Sequence, residues 1–594
     1  MNPKIKQVSL LLFSVVFALS SYKMRHLPLW GWWTFAWSMS LWATLVLLFE
    51  KRYQSKWLLY STISGVFLAI GFPPSPLTPF MFAGFLPLLI LENEWIILDN
   101  PKRGIFKYAL NAFMIWNIGA TWWVPNAGFV GGLLANYLNA LFMATVFWAF
   151  CKTDGVLQKL AFLQPFHKKV LKYLAFISYW MSFEYLHLNW ELSWSWLNLG
   201  NAFAQYPMWV QWYEYTGIFG GSLWILLANI WIFEIYSNHK NIQRPQLYLK
   251  LSWIILPILI SGIRYFNYDL NSKQKLVNIV SVHPNFEPFS EKFNMSSEQQ
   301  VQAFVRFAAT KVDSTTDYLL FPETSFDFGK IDAWKEQFAI RNLKLYINTY
   351  PKLHLVTGIN ALKVFPKGDK PVGAIRTYKT FSDTIFYEAY NAVTQITAGI
   401  DSMPLGIKSK LVPGPELLPY RQFLFFLNPL FDKLGGTVAG LGTQKHRSVF
   451  FNKTHTLGIA PIICYESIFG EYCSEYVRRG AAVLFVVTND GWWDDSPGFR
   501  QHAAFARLRA IELRRDVVRS ANMGQSCFIN QRGDMFQQTN YGEGGAIKGT
   551  VLPNSTLTFY AKYGDLLAKM AVFMTGILIT GVLFFIMKLG IRIK

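Results

Sequence analysis

The chain has 594 residues, of which 52% are hydrophobic, 17% aromatic and only 15% charged, and its formal net charge is +20. Soluble domains carry about 25% charged residues, so this composition is typical of a membrane protein. The positive charge does not indicate nucleic-acid binding, because the sequence has no Gly-rich phosphate loop, no zinc-ligand spacing and no compact basic-aromatic motif. Four irregularly spaced cysteines exclude a disulfide scaffold, and we expect neither a metal site nor a cofactor.

Long apolar runs dominate the chain up to about residue 266. They lie at about residues 8–22, 29–49, 57–73, 78–95, 107–124, 129–150, 170–187, 215–236 and 250–266. A helix crosses the bilayer with about 20 apolar residues, so each run is a candidate membrane span. No small-residue cleavage pattern follows the first run, which therefore predicts an uncleaved helix rather than a signal peptide.

Lysine and arginine fall mainly in every second connector, which predicts the orientation of the chain. The basic connectors carry Lys4 and Lys6; Lys51, Arg52 and Lys56; Lys102 and Arg103; Lys168, Lys169 and Lys172; and Lys240 with Arg244, whereas Lys23 and Arg25 are an exception. Because basic connectors stay in the cytoplasm, about nine crossings place the residues after 266 outside. Tryptophans crowd the outer connectors, where an interfacial belt and a substrate-contacting surface explain them equally well.

A further apolar run at residues 570–587 precedes Lys588, Arg592 and Lys594, which predicts a final span with a cytoplasmic tail. Residues 267–565 would then be tethered to the bilayer at both ends. Within this region we predict strands at about 276–283, 318–323, 353–359, 389–397, 455–463 and 482–488. A capping box at 297–300 and apolar spacing at 505–513 indicate helices, so the region is an α/β or α+β layered domain.

Three short motifs in this domain could carry chemistry. Glu323 ends a strand beside an apolar wall, which would raise its pKa towards that of a useful base. Lys408 lies in a loop with Glu416 eight residues later, and Cys464 ends the apolar strand 457–463. A surface acid, a solvated basic loop and a buried structural thiol are the ordinary alternatives. Together the three motifs supply a base, a cation for an oxyanion and a nucleophile.

The order of Glu323, Lys408 and Cys464 resembles the carbon–nitrogen hydrolase (nitrilase) superfamily. The membrane runs, the Lys408-x-x-Leu-Val-Pro loop and Cys464-Tyr-Glu make residues 57–590 similar to the apolipoprotein N-acyltransferase family. Other runs that carry this resemblance begin at Gly71, Trp123, Ser195, Thr488, Gln501, Ala506, Arg519 and Arg532.

The resemblance implies a multi-pass α-helical membrane domain plus an α+β nitrilase-like αββα sandwich domain. Residues 1–50 would be an additional N-terminal helical hairpin and 51–266 the multi-pass transmembrane domain. Residues 267–565 would be the extracytoplasmic catalytic domain, and 566–594 the C-terminal transmembrane helix with its tail.

Carried over residue by residue, the family's base falls on Glu323, its lysine on Lys408 rather than Lys410, and its nucleophile on Cys464. Supporting or substrate-binding positions fall on Glu416, Tyr465, Glu466 and Trp492. The chain departs from the family pattern at Gly406, where an aromatic residue is common. It also departs in the Pro-Gly-Pro-Glu run that ends at Glu416, where Pro-Phe-Gly-Glu is usual.

The resemblance also implies the reaction, which is transfer of a fatty acyl chain through a cysteine thioester to the N-terminal amine of a diacylglyceryl-cysteine. The partners would be a phospholipid donor, a diacylated apolipoprotein acceptor and the lipid bilayer, with no nucleic acid. The enzyme would lie in the bacterial inner membrane, with its catalytic domain on the periplasmic side. The apolar segment 423–431 is a candidate lid or lipid-facing arm, and an ordinary core segment is an equal alternative.

Two other functions fit parts of the sequence. A membrane-tethered nitrilase-like amidase would use the same three residues with water as the acceptor. A transporter or scaffold could carry an inactive hydrolase-like domain. The intact Glu323, Lys408 and Cys464 argue against the scaffold, and the Trp-rich membrane platform argues against the amidase.

The predicted orientation can be tested with reporter fusions. A reporter that works only outside the cytoplasm is expected to be active when fused near residue 300 and inactive when fused at Lys594, because of the distribution of basic connectors. A cytoplasmic signal at residue 300 would show that the number of crossings is wrong.

Overall fold

The computed structural model describes residues 3–27, 30–98, 104–240, 242–270, 275–287, 294–366, 369, 373–379, 384–424, 426 and 440–589. The chain divides into two compact units, one comprising residues 1–263 and 565–594 and the other residues 264–564. The described part of the first unit is helical, whereas the second unit is built on two β-sheets.

The first unit contains a helix at every predicted apolar run. Its helices are α1 Pro3–His26, α2 Trp33–Leu48, α3 Ser55–Ile70, α4 Leu86–Ile97, α5 Phe106–Thr121, α6 Phe129–Lys159, α7 Pro165–Asn189, α8 Tyr213–Thr216, α9 Ile218–Ser237 and α10 Arg244–Asn267, which runs on to the second unit. A final helix spans Leu566–Leu589. The predicted basic residues Lys102, Arg103, Arg592 and Lys594 lie outside the described residues.

Six stretches of the described chain are long and apolar enough to cross a membrane. They are Lys4–His26, Thr78–Ile97, Phe129–Lys159, Ile218–Ser237, Arg244–Asn267 and Leu566–Lys588, and Trp33–Leu48 and Ser55–Ile70 are apolar but shorter. The predicted total of about nine crossings before residue 266 stays a prediction.

A buried ionic cluster joins three helices of the first unit. Lys172 Nζ on α7 lies 2.6 Å from Oε2 of Glu92 on α4 and 2.9 Å from Oδ2 of Asp154 on α6. All three side chains are buried. Charges in such apolar surroundings are found where they neutralise one another, so the cluster fixes the relative positions of these helices.

Two tryptophans of the outer connectors are part of the core of this unit. Trp123 and Trp196 are both buried, and their ring centroids lie 4.9 Å apart. These two side chains therefore belong neither to an exposed interfacial belt nor to an exposed contact surface.

The second unit contains an eight-stranded and a six-stranded sheet. The strands of the first sheet are β1 Val277–His283, β2 Tyr318–Leu320, β3 Phe326–Lys330, β4 His354–Val364, β5 Ile375–Lys379, β6 Thr384–Thr397, β7 Leu405–Ile407 and β14 Gly545–Val551. Those of the second are β8 Phe450–Phe451, β9 Gly458–Ile463, β10 Ala481–Thr488, β11 Val517–Ala521, β12 Cys527–Ile529 and β13 Met535–Phe536. The first sheet has the order β14-β1-β2-β4-β6-β5, with β3 paired to β4 and β7 paired to β6, and the second has the order β13-β12-β11-β10-β9-β8.

Helices cover the outer faces of both sheets. The helices are numbered onward along the chain. Two share a core with the first sheet: α11 Ser297–Ala309 and α12 Phe338–Asn348. Three pack on the second sheet: α14 Gly470–Arg478, α15 Pro497–Leu513 and α16 Phe559–Tyr563, whereas α13 Arg421–Leu424 is a single short turn. The inner faces meet in a separate apolar core that contains Leu320 and Val356 from one sheet and Ile463 and Phe485 from the other. The fold is therefore the predicted αββα sandwich.

The predicted strands and helices of this unit are present, but several bounds differ: β2 ends at Leu320 rather than at residue 323, and β6 begins at Thr384 rather than at about residue 389. The unit also contains strands that were not predicted, such as β11 and β14. The capping box of α11 uses Ser296 and Gln299, one residue earlier than predicted. The Ser296 side chain accepts a hydrogen bond from the N–H of Gln299 at 3.2 Å, and the Gln299 side chain accepts one from the N–H of Ser296 at 2.9 Å. Residues 296–298 are all polar, and the sequence alone does not distinguish which of the two adjacent serines caps the helix.

Strand direction explains where polar residues gather. β9 and β10 are parallel, so the residues that follow them, Cys464 and Asn489, lie at the same edge of the second sheet. Glu323 follows β2 in the facing sheet and is bonded to Asn489. The ends of three strands thus converge on one place.

Candidate active site

The carboxylate of Glu323 is held by three hydrogen bonds. Oε1 accepts from Asn391 Nδ2 at 2.7 Å and from Lys408 Nζ at 3.0 Å, and Oε2 accepts from the backbone N–H of Asn489 at 3.1 Å. Burial alone would raise the pKa of Glu323, but the charge of Lys408 and these hydrogen bonds outweigh it, so the pKa is lowered. The predicted upward shift is therefore wrong, because an ammonium group lies against the carboxylate.

Lys408 follows β7 and lies between two carboxylates. Its Nζ is 3.0 Å from Glu323 Oε1 and 2.7 Å from Glu416 Oε1, and the residue is 2% exposed. Burial would lower the pKa of Lys408, but the two carboxylates raise it well above its usual value. An ammonium group has three N–H bonds, so two serve the carboxylates and the third can donate to a substrate oxygen. Lys410 lies elsewhere, with its Nζ 4.7 Å from the centre of the Phe469 ring.

The Pro-Gly-Pro-Glu run presents Glu416 to the lysine. Gly414 has φ +101°, a conformation that L side chains rarely adopt. Oε2 of Glu416 accepts a hydrogen bond from the N–H of Val412 at 2.9 Å, and the N–H of Glu416 donates to the carbonyl of Val412 at 3.1 Å. The turn therefore fixes the carboxylate from its own loop.

Cys464 lies directly after β9 in a strained conformation, with φ +48°. Its carbonyl accepts hydrogen bonds from Ser467 Oγ at 2.7 Å and from His502 Nε2 at 3.1 Å. Burial and the neighbouring Glu323 carboxylate raise the pKa of the Cys464 thiol. Cys464 therefore rests as a thiol, and the Glu323 carboxylate lies next to it.

Glu466 connects the lysine loop to the nucleophile strand. Its carboxylate accepts hydrogen bonds from the N–H of Ser409 at 2.7 Å and from the N–H of Ile463 at 2.9 Å, and the Tyr472 hydroxyl also donates to it. Ser409 is adjacent to Lys408, and Ile463 precedes Cys464. Burial raises the pKa of Glu466, although these hydrogen bonds oppose the shift. Glu466 therefore positions both catalytic loops.

A cavity of about 360 Å³ lies beside this cluster. Glu323, Glu416, Asn391 and Trp492 are among the residues that line it. Tyr465 is instead buried and packs edge-on against Phe469, with ring centroids 5.0 Å apart. The structure thus brings Glu323, Lys408, Cys464 and Glu416 together, places Trp492 on the cavity wall and places Tyr465 behind it.

Only part of the predicted lid or arm at 423–431 can be placed. Residues 425 and 427–431 lie outside the described residues. Phe423 and Phe426 are 68% and 64% exposed. At these two positions the side chains are therefore not part of a core.

Known proteins resemble the chain over both units. The family model described as Apolipoprotein N-acyltransferase N-terminal domain matches residues 64–231, and that described as Carbon-nitrogen hydrolase matches residues 288–556. An apolipoprotein N-acyltransferase of Chlorobaculum tepidum is 28% identical over 543 residues, which cover 89% of this chain and 97% of the relative. The chain is therefore similar to the apolipoprotein N-acyltransferases over both units.

Two further proteins illustrate the range of similarity. An apolipoprotein N-acyltransferase of Geobacter metallireducens is 25% identical over 534 residues, covering 86% of this chain and 92% of the relative. Among solved structures, Saccharomyces cerevisiae Nit3, of the nitrilase superfamily, has 15% sequence identity and a TM-score of 0.33, covering 47% of this chain and 93% of that chain.

Two asparagines of this candidate site were not identified from the sequence. Asn489 lies in the run beginning at Thr488 that marked the family resemblance, so the sequence held a signal for it. Asn391, by contrast, lies within β6, where no motif marks it. Its Nδ2 lies 2.7 Å from Glu323 Oε1 and 3.5 Å from Glu416 Oε1, so it bridges the two carboxylates, and its backbone carbonyl accepts a hydrogen bond from the N–H of Lys408 at 2.9 Å.

A buried polar network supports the Cys464 backbone from behind. The carbonyl of Cys464 can only accept, so Nε2 of His502 carries the proton of that hydrogen bond. Nδ1 of His502 lies 3.0 Å from both Asp490 Oδ1 and an Arg519 nitrogen, and Arg519 also pairs with Asp490. Burial and Arg519 lower the pKa of His502, although the Asp490 carboxylate opposes the shift.

Gly358 on β4 lets the Glu323 turn approach the neighbouring strand. A Cβ atom at this position would lie 2.5 Å from the Pro322 carbonyl oxygen and 2.6 Å from Cα of Glu323. Both are backbone atoms and cannot rotate away. The backbone of β4 is also bonded to this turn through the N–H of Gly358 and the carbonyl of Pro322 at 3.1 Å.

Gly358→Ala is therefore expected to displace Glu323 and to lower the free energy of unfolding by about 1–3 kcal/mol, the usual cost of overpacking. Thermal unfolding of the purified protein and the rate of Cys464 acylation measure the two effects. Gly545→Ala is the matched control, because a Cβ there meets nothing within 4 Å. Equal behaviour of the two variants would contradict the role of Gly358.

Proposed function

We propose that this enzyme N-acylates lipoproteins by moving a fatty acyl chain from a membrane phospholipid to Cys464, and from Cys464 to the N-terminal amine of a diacylglyceryl-cysteine. The enzyme is an acyltransferase with a nitrilase-like domain. The observation that carries the proposal is the contact of Glu323, Lys408 and the Cys464 thiol in one buried site of a chain similar to the apolipoprotein N-acyltransferases.

In the first half-reaction, Cys464 Sγ attacks the ester carbonyl of the donor while Glu323 takes the thiol proton. The C–S bond forms, and the carbonyl oxygen becomes an oxyanion that the third N–H of Lys408 stabilises. The intermediate then collapses, and the C–O bond to the glycerol breaks. The leaving alkoxide takes the proton from Glu323 and departs as a lysophospholipid, which leaves a thioester on Cys464.

The second half-reaction uses the same groups in the same order. The acceptor amine attacks the thioester carbonyl, and Glu323 takes a proton from the nitrogen. Lys408 again stabilises the oxyanion, and its collapse breaks the C–S bond. The thiolate of Cys464 regains the proton from Glu323, and the acyl chain leaves as an amide.

A lowered pKa at Glu323 suits this cycle. The carboxylate stays ionised at neutral pH, so it is ready to accept a proton at each attack. Because Cys464 is held as a thiol, the nucleophile is activated only when Glu323 accepts its proton. Burial of the site also limits the access of water, which would otherwise hydrolyse the thioester.

Other residues have supporting roles in this proposal. Trp492 and Glu416 line the cavity and would contact the substrates, whereas Glu466 and Tyr465 support the loops behind it. The relatives that span the chain are acyltransferases, which favours an amine acceptor over the water of an amidase. The distribution of basic connectors supports an inner-membrane location with the catalytic unit on the periplasmic side.

Cys464→Ala is expected to abolish both the acyl-enzyme adduct and lipoprotein N-acylation, because no other group can form the thioester. Mass spectrometry of the full-length protein, incubated with a defined phospholipid, measures the adduct. Cys473→Ala is the matched control, since Cys473 is also buried in the same unit and is expected to leave the adduct unchanged. Lipoprotein N-acylation by Cys464→Ala would refute the proposal.

Lys408→Met and Lys410→Met are expected to differ sharply. Loss of Lys408 should slow adduct formation by about 10²–10³-fold, the usual cost of one oxyanion donor. Without Lys408, burial would dominate at Glu323 and raise its pKa, so the acid limb of the pH–rate profile should move to higher pH. Lys410→Met should change neither the rate nor the profile. The measurement is the rate of adduct formation by each variant across a pH series. A lower rate in Lys410→Met than in Lys408→Met would contradict the assignment of Lys408 as the oxyanion donor.

A further inference from the structure

Arg376 lines the active-site cavity as a cation that no carboxylate of the described residues neutralises. It lies on β5 and faces the same cavity as Glu323 and Glu416. Among the described residues, no acidic side chain lies within 4 Å of its guanidinium group. One of its nitrogens, Nη2, donates to the carbonyl of Gly440 at 3.2 Å, while Nε is buried without a hydrogen-bond partner in the described part of the chain.

The nearby acids are already engaged. Glu323 and Glu416 share the ammonium group of Lys408. Glu388, which lies opposite Ile375 in the pairing of β5 with β6, accepts a hydrogen bond from the Tyr390 hydroxyl at 2.6 Å. A partly buried guanidinium with an unsatisfied N–H is costly unless an anion joins it. The buried Nε–H of Arg376 therefore offers a hydrogen-bond donor that a ligand oxygen can satisfy.

We propose that Arg376 binds the phosphodiester of the phospholipid acyl donor, an inference that rests on the proposed function. A guanidinium group matches two phosphate oxygens at once through its planar set of N–H bonds. Of the two proposed substrates, the donor carries a phosphodiester on the same glycerol as the reacting ester. The acceptor amine is attached to a diacylglyceryl-cysteine, which has no phosphate.

This binding mode separates the two half-reactions. Arg376 holds the donor while its ester carbonyl lies near Cys464, and the lysophospholipid carries the phosphate away when it leaves. The acceptor then enters a cavity whose cation no longer has a lipid anion. Arg376 therefore acts on thioester formation and not on transfer from the thioester to the amine.

The test compares donors that differ only in the phosphate group. Full-length protein in detergent micelles is given dioleoylphosphatidylglycerol or dioleoylglycerol, and the acyl adduct is followed by mass spectrometry. Iodoacetamide, a small neutral reagent, measures the reactivity of Cys464 without any lipid. The variants are Arg376→Gln, Arg376→Lys and, as a control on the same strand, Lys379→Gln at an exposed position.

Arg376→Gln is expected to slow adduct formation from the phospholipid by about 10- to 100-fold, the usual effect of losing a hydrogen bond to a charged group. Its reactions with dioleoylglycerol and iodoacetamide should stay at the wild-type rate, and so should transfer from a preformed thioester to the acceptor. Arg376→Lys should lie between Arg376→Gln and wild type, because it keeps the charge but not the paired N–H bonds. Lys379→Gln should match the wild type throughout.

Several results would overturn the inference. An unchanged phospholipid rate in Arg376→Gln, or an equal loss with both lipids and iodoacetamide, would show that Arg376 does not bind the phosphate. If the wild type forms the adduct at the same rate from both lipids, the phosphate is not bound by Arg376 either, and no variant is needed to show it. If the wild type reacts with iodoacetamide but forms no adduct with phospholipid, the proposed function itself fails, which is a different outcome.

Discussion

The ammonium group of Lys408 is buried between the carboxylates of Glu323 and Glu416, and the rest of the site depends on this arrangement. A buried charge is stable only when opposite charges and hydrogen bonds replace its water. Removing one partner of such a cluster typically costs about 3–5 kcal/mol, because an uncompensated charge remains. The same contacts keep Glu323 ionised and Lys408 protonated, so the groups that stabilise the site are also those of the proposed chemistry.

The sandwich provides the geometry that this cluster needs. Two sheets share an apolar core, and the ends of β2, β9 and β10 bring Glu323, Cys464 and Asn489 to one place. Glu466 then connects the backbone beside Lys408 to the strand that ends at Cys464. Because these links are hydrogen bonds to backbone N–H groups, they fix the loops themselves as well as the side chains on them. Cys464, the proposed nucleophile, can therefore be held at φ +48°, which an isolated loop would avoid.

Much of this could be predicted from the sequence where the signal is local. Apolar runs identified the helices of the first unit, and apolar strands with an abrupt polar end identified Glu323 and Cys464. Long-range contacts were harder. The downward shift of the Glu323 pKa depends on a lysine 85 residues later, and no periodicity shows that the two meet. Asn391 was likewise missed, because its contact with Glu323 joins residues 68 positions apart. His502, Asp490 and Arg519 lie in runs that carried the family resemblance, but the contacts that join them were not predicted.

The ionic cluster of Lys172, Glu92 and Asp154 has a consequence for how the chain is assembled. Glu92 lies on α4, and its cation lies 80 residues later on α7. During synthesis the ribosome therefore releases Glu92 and Asp154 before Lys172, and the charges can be balanced only when the later helix reaches its place. Until then α4 and α6 each carry an acid that favours contact with water or with the insertion machinery. Completion of this unit is thus coupled to the arrival of α7, and a chain truncated before that helix would retain two unmatched acids.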